Sequence, residues 1–160
     1  RTIDTLSSQG IEVSLFIDPD SSQIEASHQI GARLVELHTG KYCEAYEAYR
    51  INLQSTDPLS GDHPPDRAVS GSVLQQLRHD VEKCLSELQS AATTCKLHNI
   101  AVNAGHGLNY ENLPAFLSVP DLVELNIGHS IVEEAIFVGL GPAVARMKEL
   151  LMAGPRPLFS

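Results

Sequence analysis

Four short apolar runs recur along the chain: IEVSLFID (11–18), LVELHT (34–39), IAVNAG (100–105) and LVELNIG (122–128). Their length and their valine, isoleucine and leucine content predict β-strands. Helical patterns fill the stretches between them. SSQIEASHQIGA (21–32) follows Asp18-Pro19-Asp20, an N-cap and first-turn sequence. From about Ser72 to His98, the residues Val73, Leu74, Leu77, Val81, Leu85, Leu88 and Ala92 recur every three or four positions, which predicts one long amphipathic helix. NLPAFLSV (112–119) predicts a short helix stopped by Pro120, and SIVEEAIFVG (130–139) and PAVARMKELLMA (142–153) predict two more. The opening RTIDTLSSQG reads as the tail of a helix running into a turn. It begins at Arg1 with no methionine, so the start is expected to be a cut.

Strand, helix, strand, helix in repetition points to parallel strands covered by helices. Two of the strands echo each other, LVELHTG at 34–40 and LVELNIG at 122–128. Side chains two apart share a strand face, so Glu36 pairs with His38 and Glu124 with Asn126. Val35, Leu37, Val123 and Leu125 are then expected to face helices. A strand apolar on one face and polar on the other suits the inside of a barrel near its mouth. The alternative, an open doubly wound sheet, buries both faces under helices and reads as continuously apolar. Residues 51–71, INLQSTDPLSGDHPPDRAVSG, have no periodicity and read as a loop insertion.

Composition narrows the partners. The chain has 160 residues and a formal charge of −9, which suits one soluble domain or a piece of one and argues against nucleic acid or an anionic membrane surface. Phosphorylated ligands stay open, because backbone amides and helix N-termini bind phosphate without net positive charge. No stretch is long and apolar enough to span a bilayer, and no signal-peptide pattern is present. Cys43, Cys84 and Cys95 are too few and too scattered for a disulfide framework, so a reducing cytoplasm is expected. His28, His79 and His98 lie in or beside helical patterns, and His63 lies in the insertion. All four read as ordinary surface or loop residues.

Candidate chemistry collects at the C-terminal ends of the strands: Asp18, Glu36 with His38, His106 between Gly105 and Gly107, and His129 after Gly128. In (β/α)8 barrels the catalytic groups come from those ends, and a phosphate site is commonly built from the loops after the last two strands and a short extra helix. NAGHG and NIGH fit that position. Gly107, Gly128 and the amides opening at His129 and Ser130 are therefore candidate phosphate ligands. Two readings compete: plain glycine turns with an exposed histidine, and a zinc site of histidines and a carboxylate. The zinc reading lacks any H-x-x-x-H or His-x-His spacing.

Taken together, VNAGHGLNY, VELHTG and ELNIGHSIV resemble the pyridoxine 5′-phosphate synthase family of the deoxyxylulose-dependent vitamin B6 route, and IEVSLFIDPD and GLGPAVARMKELL are similar to it too. The resemblance implies a cytoplasmic (β/α)8 TIM-barrel enzyme, usually a homo-octamer, with no metal and no organic cofactor. It implies condensation of 1-deoxy-D-xylulose 5-phosphate with 3-amino-2-oxopropyl phosphate to pyridoxine 5′-phosphate, phosphate and water. Matched by motif, His106 is the proton donor and Glu36 stabilises a charged transition state. Gly107, Gly128 and His129 bind the aminoketone phosphate. His38 shares the face of Glu36 and is expected to support the site without touching substrate.

The strands here match the fifth to eighth of that barrel, so residues 1–160 are expected to form its C-terminal half with an insertion at about 51–71. The family's N-I-D-H strand, the histidine- and arginine-bearing segment after its second strand and the glutamate of its third have no counterpart here. Barrels of this type run to about 250 residues. The chain alone is expected to be inactive. The alternatives are another phosphosugar (β/α)8 isomerase or aldolase, and a non-catalytic half-barrel that needs a partner.

Overall fold

A computed structural model describes residues 2–54 and 70–159. The elements run α1 (Thr2–Ser8), β1 (Ser14–Ile17), α2 (Ser21–Gln29), β2 (Leu34–His38), α3 (Gly40–Gln54), α4 (Gly71–Leu97), β3 (Ala101–Gly105), α5 (Leu113–Phe116), β4 (Leu122–Asn126), α6 (His129–Val138) and α7 (Leu140–Ala153). The four strands form one parallel sheet in the order β1-β2-β3-β4. Each strand is followed by helix, as the alternating pattern predicts.

Local chemistry explains the boundaries. Asp20 sits in extended backbone and caps α2, its side chain accepting from Ser22 N and Gln23 N. These bonds, with the Ser22 hydroxyl first among them, hold its carboxyl below the usual range. Ser70 caps α4 by accepting from Val73 N at 3.4 Å. The long helix then buries Val81, Leu85, Leu88, Ala91, Ala92 and Cys95, the stripe its periodicity predicts.

The sheet is two-faced. Val35, Leu37, Val102 and Ala104 are buried against the helices. The register aligns Phe16, Glu36, Asn103 and Glu124 in one row on the opposite face. A sheet wound on both sides needs apolar residues on both faces, and this row carries two carboxylates and an amide.

Three expectations change. Residues 51–54 are the last turn of α3, not loop, and Gly71 already belongs to α4. Tyr42, Tyr46, Tyr49 and Leu53 carry the helical spacing of α3, with tyrosines where aliphatic residues would have been easier to read. Residues 55–69 of the predicted insertion, with His63, lie outside the described residues. Val123 is 71% exposed and does not face helices. A register shift between Val102 and Asn103 lets Leu122 pair with Val102 and leaves Val123 as the extra residue of a bulge.

The core closes around α3, α4 and the segment 108–119. Tyr42 is 1% exposed, and its hydroxyl donates to Asn112 O at 2.7 Å. Burial pushes its pKa far above the ordinary tyrosine value, so it stays a neutral donor. Because Phe116 N also reaches Asn112 O, Tyr42→Phe leaves that carbonyl one partner. The expected loss is about 0.5–1.5 kcal/mol, read from denaturant midpoints. Among the described residues no helix is long and apolar enough to cross a membrane.

Candidate active site

Every β/α junction in the sheet delivers polar groups to the same rim. On β2, Glu36 and His38 point to the open face, and each takes a defined neighbour. The Glu36 carboxylate leans across β3: a Cβ on Gly105 would stand 2.6 Å from its Oε1, and Asn126 Nδ2 donates to its Oε2 at 2.8 Å. Gly105 is therefore glycine because the carboxylate occupies the place of its side chain. His38 lies one step nearer the rim. Its Nδ1 is 3.4 Å from Asp18 Oδ1, the Phe16 ring meets it edge-on at 5.1 Å, and its ring centroid is 4.8 Å from that of His106.

After β3 the chain turns through His106 at φ +81° and Gly107 at φ +87°. Gly107 is free to do this. A Cβ there would also stand 3.0 Å from Cys43 Cβ, so the turn presses on α3. Asn112 Nδ2 donates to Gly107 O at 3.1 Å and Asn112 Oδ1 accepts from Asn109 N at 2.8 Å, which fixes the loop's far side. Ser130 Oγ, buried, donates to Leu108 O at 2.9 Å and ties the start of α6 to the same loop.

The result is a cleft of about 470 Å³ lined by Glu36, His106, Gly107, Leu108, Asn126, Ile127, Gly128 and His129. It brings together Glu36, His106, Gly107, Gly128 and His129. His38 and Asp18 do not line it; His38 stands behind His106. Gly128 is the N-cap of α6 with no side-chain cap, and the helix begins with Val132 N donating to Gly128 O at 3.0 Å. The first-turn N–H groups of α6 accordingly lack helical partners and sit where an anion is favoured. The His129 imidazole is 90% exposed and turned along the helix to Glu133 Oε1 at 3.0 Å, so what the fold fixes at this position is backbone.

Three residues here were not singled out from the sequence. Asn126 holds the carboxylate of Glu36, and its place two residues after Glu124 on the same face was the available signal. Thr39, between β2 and α3, and Cys43 of α3 contact the His106 backbone and gave no signal, because the contact spans more than sixty residues of chain. Burial pushes the Cys43 thiol up to about 11, so it stays protonated beside the cleft. Among the described residues no three His, Cys, Asp or Glu side chains converge as a metal cage requires.

A parallel α/β sheet with helices on one face, and with polar groups gathered at its strand ends, is consistent with the barrel class of α/β proteins. The chain belongs to the family described as pyridoxal phosphate biosynthesis protein PdxJ, whose model matches residues 1–153. It is similar to the pyridoxine 5′-phosphate synthase of Nautilia profundicola, 40% identical over 151 residues, an alignment covering 94% of this chain and 55% of that protein. The protein of that name from Wolinella succinogenes is 41% identical over 144 residues, covering 90% of this chain and 52% of the relative. That from Campylobacter lari is 40% identical over 146 residues, covering 91% and 54%. The chain spans about half the length of the curated relatives it matches.

Proposed function

We propose that residues 1–160 are the C-terminal half of a (β/α)8 enzyme, supplying its fifth to eighth strands, and that the complete enzyme is a pyridoxine 5′-phosphate synthase. It condenses 1-deoxy-D-xylulose 5-phosphate with 3-amino-2-oxopropyl phosphate, forming pyridoxine 5′-phosphate and releasing phosphate and water. The observation that carries this reading is the cleft itself, in which a carboxylate and an imidazole face the uncapped start of a helix.

Each part has a task in that chemistry. Joining an amine to a ketone gives an imine, and closing the ring takes further dehydrations, each needing a proton delivered to a leaving oxygen or removed from carbon. His106, exposed at the cleft, delivers protons. Glu36, held by Asn126, places negative charge beside the protonated imine nitrogen and lowers the energy of that cation. Gly107, Gly128 and the opening amides of α6 at His129 hold the phosphate of the aminoketone, which fixes its amine relative to Glu36. His38, set by Asp18, backs the imidazole of His106.

Closure of the barrel is supported by the open face of the sheet. Asn103 is 7% exposed in the middle of the polar row, and its Oδ1 has no hydrogen-bond partner among the described residues. A buried acceptor of this kind calls for a donor, and strands completing the barrel would place side chains opposite it.

The purified 1–160 chain is expected to give no pyridoxine 5′-phosphate from the two substrates. Co-expressed with the upstream part of its own reading frame, it is expected to give product and to co-elute with that part on sizing chromatography. Turnover by the isolated chain at an ordinary enzymatic rate would overturn the half-barrel reading. Consumption of one phosphosugar by the complete protein without the aminoketone would favour an isomerase or aldolase instead.

A further inference from the structure

His106 carries the proton in the reading above, yet its backbone sits in the left-handed region at φ +81°. Side-chain-bearing residues rarely adopt this conformation, and where they do the surroundings must over-determine it. Beside the Cys43 thiol at 3.6 Å from His106 O, the surroundings here come chiefly from one buried residue of the VELHTG motif. Thr39 is 0% exposed. Its Oγ1 lies 2.6 Å from Gly105 O and 2.6 Å from His106 O, and its backbone N–H donates to Gly105 O at 3.0 Å. Those two carbonyls belong to the peptide planes on either side of the His106 Cα. Rotation of the first plane is φ of His106 and rotation of the second is ψ. The hydroxyl has one proton to give, so it bonds one of these carbonyls at a time, and together with the Thr39 N–H on Gly105 O it restrains both torsions. The neighbours of Thr39 complete the seat: the His38 ring stands against that of His106, and a Cβ on Gly40 would stand 2.8 Å from His38 Nε2 and push that ring away.

We propose that Thr39 is the positioning residue for His106: its hydroxyl, clamped onto the Gly105 and His106 carbonyls, sets the direction from which the imidazole enters the cleft. This rests on the reading of His106 as the proton carrier. Thr39 touches no substrate. Its effect belongs to the geometry of proton transfer and not to phosphate binding.

The test uses the complete protein with Thr39→Val, which keeps the shape and removes the hydroxyl, and Thr39→Ser, which keeps the hydroxyl. Thr39→Val is expected to lower kcat roughly ten- to a hundredfold, the scale of a small misplacement of a reacting group, with KM for both phosphates within about twofold. Thr39→Ser is expected to restore kcat to near the wild-type value. In protein labelled with ¹³C at histidine Cε1, the His106 resonance, assigned by its loss in His106→Asn, is expected to shift in Thr39→Val and stay in place in Thr39→Ser. Should Thr39→Val fail to fold, Thr39→Ala carries the same comparison. An unchanged kcat, a loss confined to KM, or an unmoved His106 resonance overturns the proposal. The two readings also fail separately. Full turnover in His106→Asn removes His106 as proton carrier, while the resonance in Thr39→Val still decides whether Thr39 holds it.

Discussion

His106→Asn, made in the complete protein, is expected to fold as the wild type does and to lose ring formation by roughly a hundred- to ten-thousandfold, the range for removing a general acid–base group. Asparagine is the informative replacement because its side chain tolerates the left-handed backbone that His106 occupies at φ +81°. Alanine at the same place also removes the imidazole, but adds a backbone cost of about 1 kcal/mol. The side chain is exposed at the cleft, so neither variant opens a cavity in the core. Initial rates measured beside a thermal unfolding midpoint separate the two effects. A variant with a normal midpoint and near-normal turnover removes His106 from the mechanism.

Glu36→Gln is the second large effect. The amide keeps the shape and still accepts from Asn126, and it loses the negative charge set against the imine cation. Turnover is expected to fall about a hundred- to a thousandfold, the range for losing one preorganised electrostatic partner, with little change in stability. Gly105→Ala approaches the same carboxylate from the other side. Its new Cβ would stand 2.6 Å from Glu36 Oε1 and 2.8 Å from the backbone oxygen of Asn126. The side chain can swing away, but the backbone cannot do so without disturbing β4. Gly105→Ala is therefore expected to cost about 1–3 kcal/mol of stability, as overpacking does, and to displace Glu36 as well. A Gly105→Ala protein with full activity and an unmoved midpoint would mean that the carboxylate does not lie over β3.

Much of this arrangement was written into local sequence. The period of α4, the capping carboxylate of Asp20, and the glycines that open α3 and α6 after paired LVEL strands all act within a few residues of chain. What was not legible depends on contacts between distant segments. The spacing of α3 is carried by Tyr42, Tyr46 and Tyr49, residues equally at home in strands, so its helical character emerges only when they meet Phe116 and Phe159. Strand alternation put Val123 against helices, and the bulge that turns it outward arises from pairing with β3, twenty residues earlier in the chain. In the site, Glu36, His106 and the start of α6 could be named from their motifs. The bond from Asn126 that holds Glu36, and the clamp from Thr39 that holds His106, required the fold. For the same reason the LVELHTG and LVELNIG echo is uneven: Glu36 lines the cleft, whereas Glu124 on the bulged strand is exposed and Asn126, two residues on, takes its place there.

The most direct test of the central claim is a product measurement on the complete protein supplied with 1-deoxy-D-xylulose 5-phosphate and 3-amino-2-oxopropyl phosphate together. Pyridine-ring absorbance and released inorganic phosphate should rise in equal amounts, and neither should rise when one substrate is withheld or when His106 is asparagine. Phosphate release or sugar consumption without ring absorbance, or equal ring formation by the asparagine variant, would contradict a ring-forming site at this cleft.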